Sequence, residues 1–196
     1  NTHLRSTNVE LEVWNRRKAL ISSLTLPATR LSRPMTVYGL DHLDCLNDLP
    51  LLDIDSVRLF LCRHGQTEYN RLQCIQGARV DPPLNEFGRQ QSRLLGQALD
   101  RISPSLIVHS PLLRSVETAQ VAAQEVSLCP KLQELDLLAS IDYESVAKGA
   151  KIQDVRPKLR LIYAAWSIGN VDTRMAGDGE SGREVLERVG RALSRM

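Results

Sequence analysis

Three observations predict an α/β layered domain carried behind an N-terminal arm. A short apolar run, Val57-Arg58-Leu59-Phe60-Leu61-Cys62, ends in Arg63-His64-Gly65. Such a run reads as a buried strand that delivers polar side chains to the carboxyl edge of a sheet, where α/β proteins form ligand crevices. Downstream, strand-like and helix-like segments alternate. Upstream, residues 1–55 differ in composition from the remainder. The domain is expected over 56–196 and the arm over 1–55.

Within the arm, Val13, Trp14, Leu20, Ile21 and Leu24 have helical spacing and predict an amphipathic helix over Val9–Leu24. Pro27, Pro34 and Pro50 then punctuate a loop-rich stretch. The core opens with the strand at 57–62 and a loop at 75–86. A helix follows over about 86–102, with Phe87, Leu94, Leu95, Ala98, Leu99 and Ile102 on one face. Leu106-Ile107-Val108 is a second strand. Ser110-Pro111 supplies an N-cap and a first-turn proline. The helix it opens carries Leu112, Val116, Ala119, Ala123 and Val126 on one side. Residues 131–138 are expected to be extended, and 151–166 helical but broken near Pro157. Ser181-Gly-Arg-Glu184 is a capping-box pattern that opens a last helix over 181–195.

Bulk numbers narrow the function. Hydrophobic content of 42% with 24% charged residues is ordinary for a globular chain. A net charge of +2 and 4% aromatics argue against nucleic-acid binding. No apolar run reaches membrane-spanning length. Cys45, Cys62, Cys74 and Cys129 show no zinc spacing and read as reduced thiols inside the cell. The first forty residues hold six basic residues against two acids, with abundant Ser and Thr, as an organellar targeting segment does. That composition points to a plastid or mitochondrion. Residues 41–55 invert the balance, with five Asp and no Lys or Arg. The arm either folds onto its own domain or docks a partner protein. The opening Asn1 reads as a processed or incomplete start.

Arg63-His64-Gly65 puts an imidazole beside a guanidinium at a tight turn. Imidazole can attack phosphorus and hold the phosphoryl group, and a guanidinium can grip two phosphate oxygens. Taken alone, the three residues fit a turn with a surface His equally well. Arg114 lies in the first turn of the helix opened by Ser110-Pro111, where backbone N–H groups favour anions. Alone it reads as a solvated helix Arg; with the strand-end Arg63, a phosphate pocket becomes the better reading.

These residues resemble the histidine phosphatase superfamily, with its phosphoglycerate mutase-like fold. Leu61-Cys-Arg63-His64-Gly65-Gln-Thr67-Glu-Tyr-Asn70 is similar to its nucleophile motif, and Gln76-Gly77 through Gln90 to its second segment. Ser110-Pro111-Leu-Leu-Arg114 through Ala119 and Leu132-Gln-Glu134-Leu-Asp136 are similar to its third and acid-bearing segments. Order and spacing agree over about 57–138. Ala165-Trp166 and Gly179-Glu180-Ser181 match more weakly. The resemblance implies a layered αβα domain with a mostly parallel central sheet. It implies His64 as nucleophile, Arg63 and Arg114 as phosphoryl binders, and Asn70 and Gln76 as neutral donors. Glu134 is implied as general acid, with a pKa raised by partial burial. His64 is then neutral, its other ring nitrogen held by a backbone acceptor. No cofactor or metal is implied, because the guanidinium groups supply the charge. His109 reads as structural.

Two departures stand out. The family places a second His on a late strand, yet no His follows His109 and the chain stops at Met196. The late strand is therefore expected beyond Met196, and enzyme activity is conditional on it. The family also carries a Gly four residues after the acid, where this chain has Leu138. The resemblance implies a phosphomonoesterase acting on a small phosphate ester through a phosphohistidine, with mutase activity disfavoured by the compact region after the acid. The alternative is a catalytically weak or inactive subunit with a structural role in an organellar assembly. A phosphate sensor without turnover is a third reading.

Overall fold

The computed structural model describes residues 8–14, 37–40, 56–143, 149–175 and 177–196. They divide between Arg63 and His64 into two units. The first unit holds β1 (Asn8–Trp14), β2 (Val37–Leu40) and β3 (Ser56–Leu61), all parallel, in the order β2-β1-β3. The Val9–Leu24 helix is thus corrected over its first residues. Val9, Leu11 and Val13 alternate with Glu10 and Glu12, a period of two that suits a strand. Residues 15–24 lie outside the described residues.

The second unit begins with a one-turn helix, α1 (Glu68–Arg71), and continues with α2 (Glu86–Asp100) and β4 (Leu106–His109). Next come α3 (Leu113–Gln124) and β5 (Lys131–Glu134), with a 3-10 turn at Asp136–Leu138. Then follow α4 (Ile152–Ser167) and α5 (Gly182–Leu193). β4, α3 and β5 form a β-α-β unit whose strands pair in parallel from Leu106↔Lys131 to His109↔Glu134. The parallel strand pairs and the β-α-β unit make the fold α/β, as the sequence predicts.

The core sits between α2 and α3, where Leu95, Leu99, Ala122 and Val126 cluster with Ile102 and Ile107 against them. The apolar faces differ from expectation. Phe87 and Leu94 are exposed, and the buried stripe of α2 takes in Gly88, Ser92 and Gly96. Small residues win there because the backbones approach closely: a Cβ at Gly96 would overlap the Ala122 carbonyl. On α3, Arg114, Thr118, Ala119 and Ala122 are buried, so the inner face carries a cation as well as apolar groups.

Two further local expectations are corrected. Ser110 does not cap α3. The helix starts at Leu113, and Asp81 Oδ2, from a distant loop, accepts the Leu113 N–H at 2.8 Å. α4 runs unbroken through Pro157. Proline removes one N–H, and the Gln153 carbonyl that would receive it belongs to an exposed residue open to water. The Ser181–Glu184 capping box forms as read, with Ser181 accepting from Glu184 N and Glu184 from Ser181 N.

Candidate functional site

His64 opens the second unit on a turn that two glycines make possible. Gly65 packs against the backbone of α2, where a Cβ would lie 2.5 Å from Gly88 O. Gly65 N–H donates to Thr118 Oγ1 at 3.0 Å, and the Thr118 hydroxyl donates to Arg114 O at 2.6 Å. The backbone after the imidazole is therefore fastened to α3 one turn beyond Arg114. Thr118 carries no catalytic chemistry, and its place four residues after Arg114 was the available clue to its role.

The half-buried His64 ring places Nδ1 2.7 Å from Gly65 O. A carbonyl can only accept, so Nδ1 carries the proton. In the neutral ring the lone pair is then on Nε2. The expected backbone acceptor is present.

Thr67 is fully buried, and its hydroxyl gathers two of the expected donors. Asn70 Oδ1 and Gln76 Oε1 each lie 3.1 Å from Thr67 Oγ1. Asn70 also completes a capping box at α1 by accepting from Thr67 N. Committing both amide oxygens inward leaves the amide nitrogens as the groups able to donate elsewhere. Asn70 thus serves helix capping whatever else it does.

Arg114 is 2% exposed. Its Nη2 donates to Gly77 O at 2.8 Å and its Nη1 to Val80 O at 2.9 Å, with Asp81 Oδ1 at 3.4 Å. Gly77 has φ +59°, and a side chain there would strike the Tyr143 ring, so glycine lets this carbonyl reach inward. Burial pulls the guanidinium pKa below its ordinary value, while Asp81 opposes the shift. Nε–H has no acceptor among the described residues. Asp81 was not singled out in the sequence, yet it both caps α3 and faces Arg114.

Glu134 is exposed at the carboxyl end of β5, where partial burial was expected. The tight β4–β5 register sets it beside His109, and Leu135 N–H donates to His109 O at 2.9 Å. His109 Nδ1 turns to its own neighbour, Ser110 O, at 3.0 Å, a local structural contact. Arg63 is exposed and belongs to the first unit with β3. The second unit therefore brings together His64, Asn70, Gln76 and Arg114 through Thr67, Gly65, Thr118 and Gly77. Glu134 lies at the strand edge from which the chain turns into α3.

Among the described residues no His, Cys, Asp and Glu cluster could hold a metal ion, and no helix is long and apolar enough to cross a membrane.

The chain is similar to known proteins. A phosphoglycerate mutase-like protein of Arabidopsis thaliana is 30% identical over 152 residues, covering 74% of this chain and 62% of that one. A glucosyl-3-phosphoglycerate phosphatase of Mycolicibacterium vanbaalenii is 35% identical over 104 residues, or 48% of this chain and 46% of its own. The solved structure of a mycobacterial glucosyl-3-phosphoglycerate phosphatase with VO3 superposes with a TM-score of 0.56 at 27% identity, covering 68% and 61%. The chain thus spans about three-fifths or less of these relatives' length. The model of the histidine phosphatase superfamily, branch 1, matches residues 59–196. With its imidazole, buried guanidinium and amide donors on those residues, the chain belongs to the histidine phosphatase superfamily, branch 1.

Proposed function

We propose that this chain carries the phosphoryl-transfer site of a phosphomonoesterase that acts on a small phosphate ester through a phosphohistidine at His64. The observation that carries the reading is the 2.7 Å contact from His64 Nδ1 to Gly65 O, because it leaves Nε2 as the nucleophilic nitrogen. Nε2 attacks phosphorus as the ester P–O bond breaks, and the Glu134 carboxyl passes its proton to the leaving alkoxide. Water, deprotonated by Glu134, then attacks the phosphohistidine and frees phosphate. Arg114 and the Asn70 and Gln76 amides stabilise the charge that builds on the phosphoryl oxygens. The names of two relatives, both glucosyl-3-phosphoglycerate phosphatases, support a small phosphorylated metabolite as substrate. The composition of residues 1–40 supports an organellar location, and residues 1–55 are the segment available to a protein partner.

The exposure of Glu134 favours a second reading, a weak or inactive subunit with a structural role in an organellar assembly. Rapid acid-free quench with 32P-labelled ester separates the two. The phosphatase reading expects label on wild type, its loss in His64→Ala, and competitive inhibition by vanadate. Wild-type protein that takes no label and hydrolyses none of a broad ester panel refutes it and leaves the readings without turnover.

A further inference from the structure

Beyond the groups already assigned, one nearly buried ion pair holds the segment that follows Glu134. Arg188 and Glu180 are 13% and 22% exposed, unlike the surface pair Arg183–Asp172 at 55% and 69%. Arg188 Nε donates to Glu180 Oε1 at 2.6 Å and Nη2 to Glu180 Oε2 at 3.0 Å. Its Nη1 donates to two backbone carbonyls, Leu137 O and Ala139 O, both at 2.8 Å. Four of the five guanidinium N–H groups are thereby engaged. Glu180 Oε2 also accepts Asp142 N–H at 2.9 Å, and Glu180 N–H donates to Asp142 O at 3.0 Å.

The segment so held has little structure of its own. After Glu134 it makes a 3-10 turn at Asp136–Leu138 and then runs irregularly to Asp142. Leu138 stands where the family has Gly, so local backbone freedom does not set the turn's shape. Instead one nitrogen of Arg188 draws two carbonyls, two residues apart, to a single point. Leu137 is three residues from Glu134, so the clamp acts within about 10 Å of the acid along the chain. Farther on, Arg79 grips Asp142 through Nε to both carboxylate oxygens, at 2.7 and 2.9 Å. Arg79 sits between Gly77 and Val80, whose carbonyls hold Arg114. A continuous run of hydrogen bonds thus joins the Arg114 cradle to the turn behind Glu134.

The capping box explains how Arg188 gets there. Ser181 fixes the first turn of α5, and Arg188 follows two turns on, on the side that faces the 137–139 carbonyls. Glu180 immediately precedes the cap and Arg188 lies on the helix it opens.

We infer that Arg188 and Glu180 are positioning residues that set the turn behind Glu134 and so aim the general acid. The inference rests on the phosphatase reading, with Glu134 as acid. Its signature is dependence on the leaving group, because an acid helps a poor leaving group and hardly helps a good one. The full chain, wild type and as Arg188→Lys, Glu180→Gln, Glu134→Gln and the Arg188→Lys/Glu134→Gln double variant, is assayed on p-nitrophenyl phosphate and glycerol 2-phosphate. Glu134→Gln is expected to lose about 100-fold more on the alkyl ester than on the aryl ester. Arg188→Lys and Glu180→Gln are expected to lose about tenfold more on the alkyl ester. The double variant is expected to match Glu134→Gln in that ratio, since an absent acid cannot be misaimed.

Thermal melts identify any variant that has unfolded, and the remaining single variant then decides. Equal losses on both esters, or a ratio in the double variant that multiplies, overturn the positioning role while the phosphatase reading stands. A wild type inactive on both esters overturns the two together.

Discussion

The same substitution, glycine to alanine, should act with opposite sign at two helical positions. Gly88 lies in the first turn of α2, and a Cβ there would sit 2.7 Å from Gln66 N and 2.9 Å from Gln66 C, with Gln66 O closer still. These are backbone atoms and cannot swing aside. Restoring ordinary contact requires roughly 1 Å of separation. Gln66 O accepts from Asn85 N at 2.9 Å, so that shift also strains a bond worth about 1 kcal/mol. Overpacking adds about 1–3 kcal/mol, and the better helix propensity of alanine returns about 1. Gly88→Ala should therefore lose about 2 kcal/mol, roughly 4–8 °C in Tm for a chain of this size. Gly190 in α5 has open space where its Cβ would go. Gly190→Ala should gain about 0.5–1 kcal/mol from the unfolded state and from propensity. Urea denaturation of both variants reads the difference. Two gains of similar size would mean that propensity alone governs both positions, and the close approach that seats Gly65 beside His64 would be refuted.

Pro157→Ala should stabilise by about 1–3 kcal/mol, by restoring an N–H for Gln153 O in mid-helix; urea denaturation checks it, and no gain would mean the helix has adapted around the ring. Asp81→Ala should cost about 1–2 kcal/mol in the same assay, since it strips the cap from α3 and the counter-charge from Arg114. Glu184 has its pKa lowered from 4.5 by the Ser181 backbone N–H and by Arg174. A lowered folded-state pKa gives stability that is complete above 4.5 and is lost as pH falls through the folded value. Wild type should therefore lose Tm faster than Glu184→Gln as pH drops below about 4.5 in a calorimetric series, and parallel curves would contradict the capping role.

What could be read from the sequence was what residues decide locally. Ser181 and Glu184 are three apart and satisfy each other, so their box was visible before any fold. Arg114 fell in the first turn of its helix because the turn after β4 is short. The misreadings share a cause in partners distant along the chain. α3 takes its cap from Asp81, 32 residues away, which no inspection of Ser110-Pro111 could reveal. The inner stripe of α2 is set by how near the Gly65–Gln66 turn comes at Gly88 and Ser92 and how near α3 comes at Gly96, so these small residues displaced Phe87 and Leu94. Arg188 reaches the 137–139 turn across about fifty residues, and nothing in Glu-Arg-Val marks it. The exposure of Glu134 follows from where β5 ends, a tertiary fact that a motif does not carry.

Under the proposed function, stability and phosphate binding would meet in the Arg114 side chain. Removing a guanidinium from water costs several kcal/mol unless its hydrogen bonds and charge are answered. Gly77 O and Val80 O answer hydrogen bonds with neutral dipoles. The charge is met by Asp81 alone among the described carboxylates, at 3.4 Å and from a residue that is itself exposed. A lowered pKa is the mark of a cation whose desolvation outweighs its counter-charge. An anion arriving beside it is rewarded twice, by direct attraction and by relief of that deficit. The two carbonyls meanwhile hold the guanidinium still, so no ordering cost falls due when the anion binds. If Arg114 binds phosphate as proposed, a fully paired arginine in its place would make a steadier protein and a poorer receptor. On the proposed phosphatase reading, that incomplete pairing is what would make the buried cation useful to a phosphoryl group.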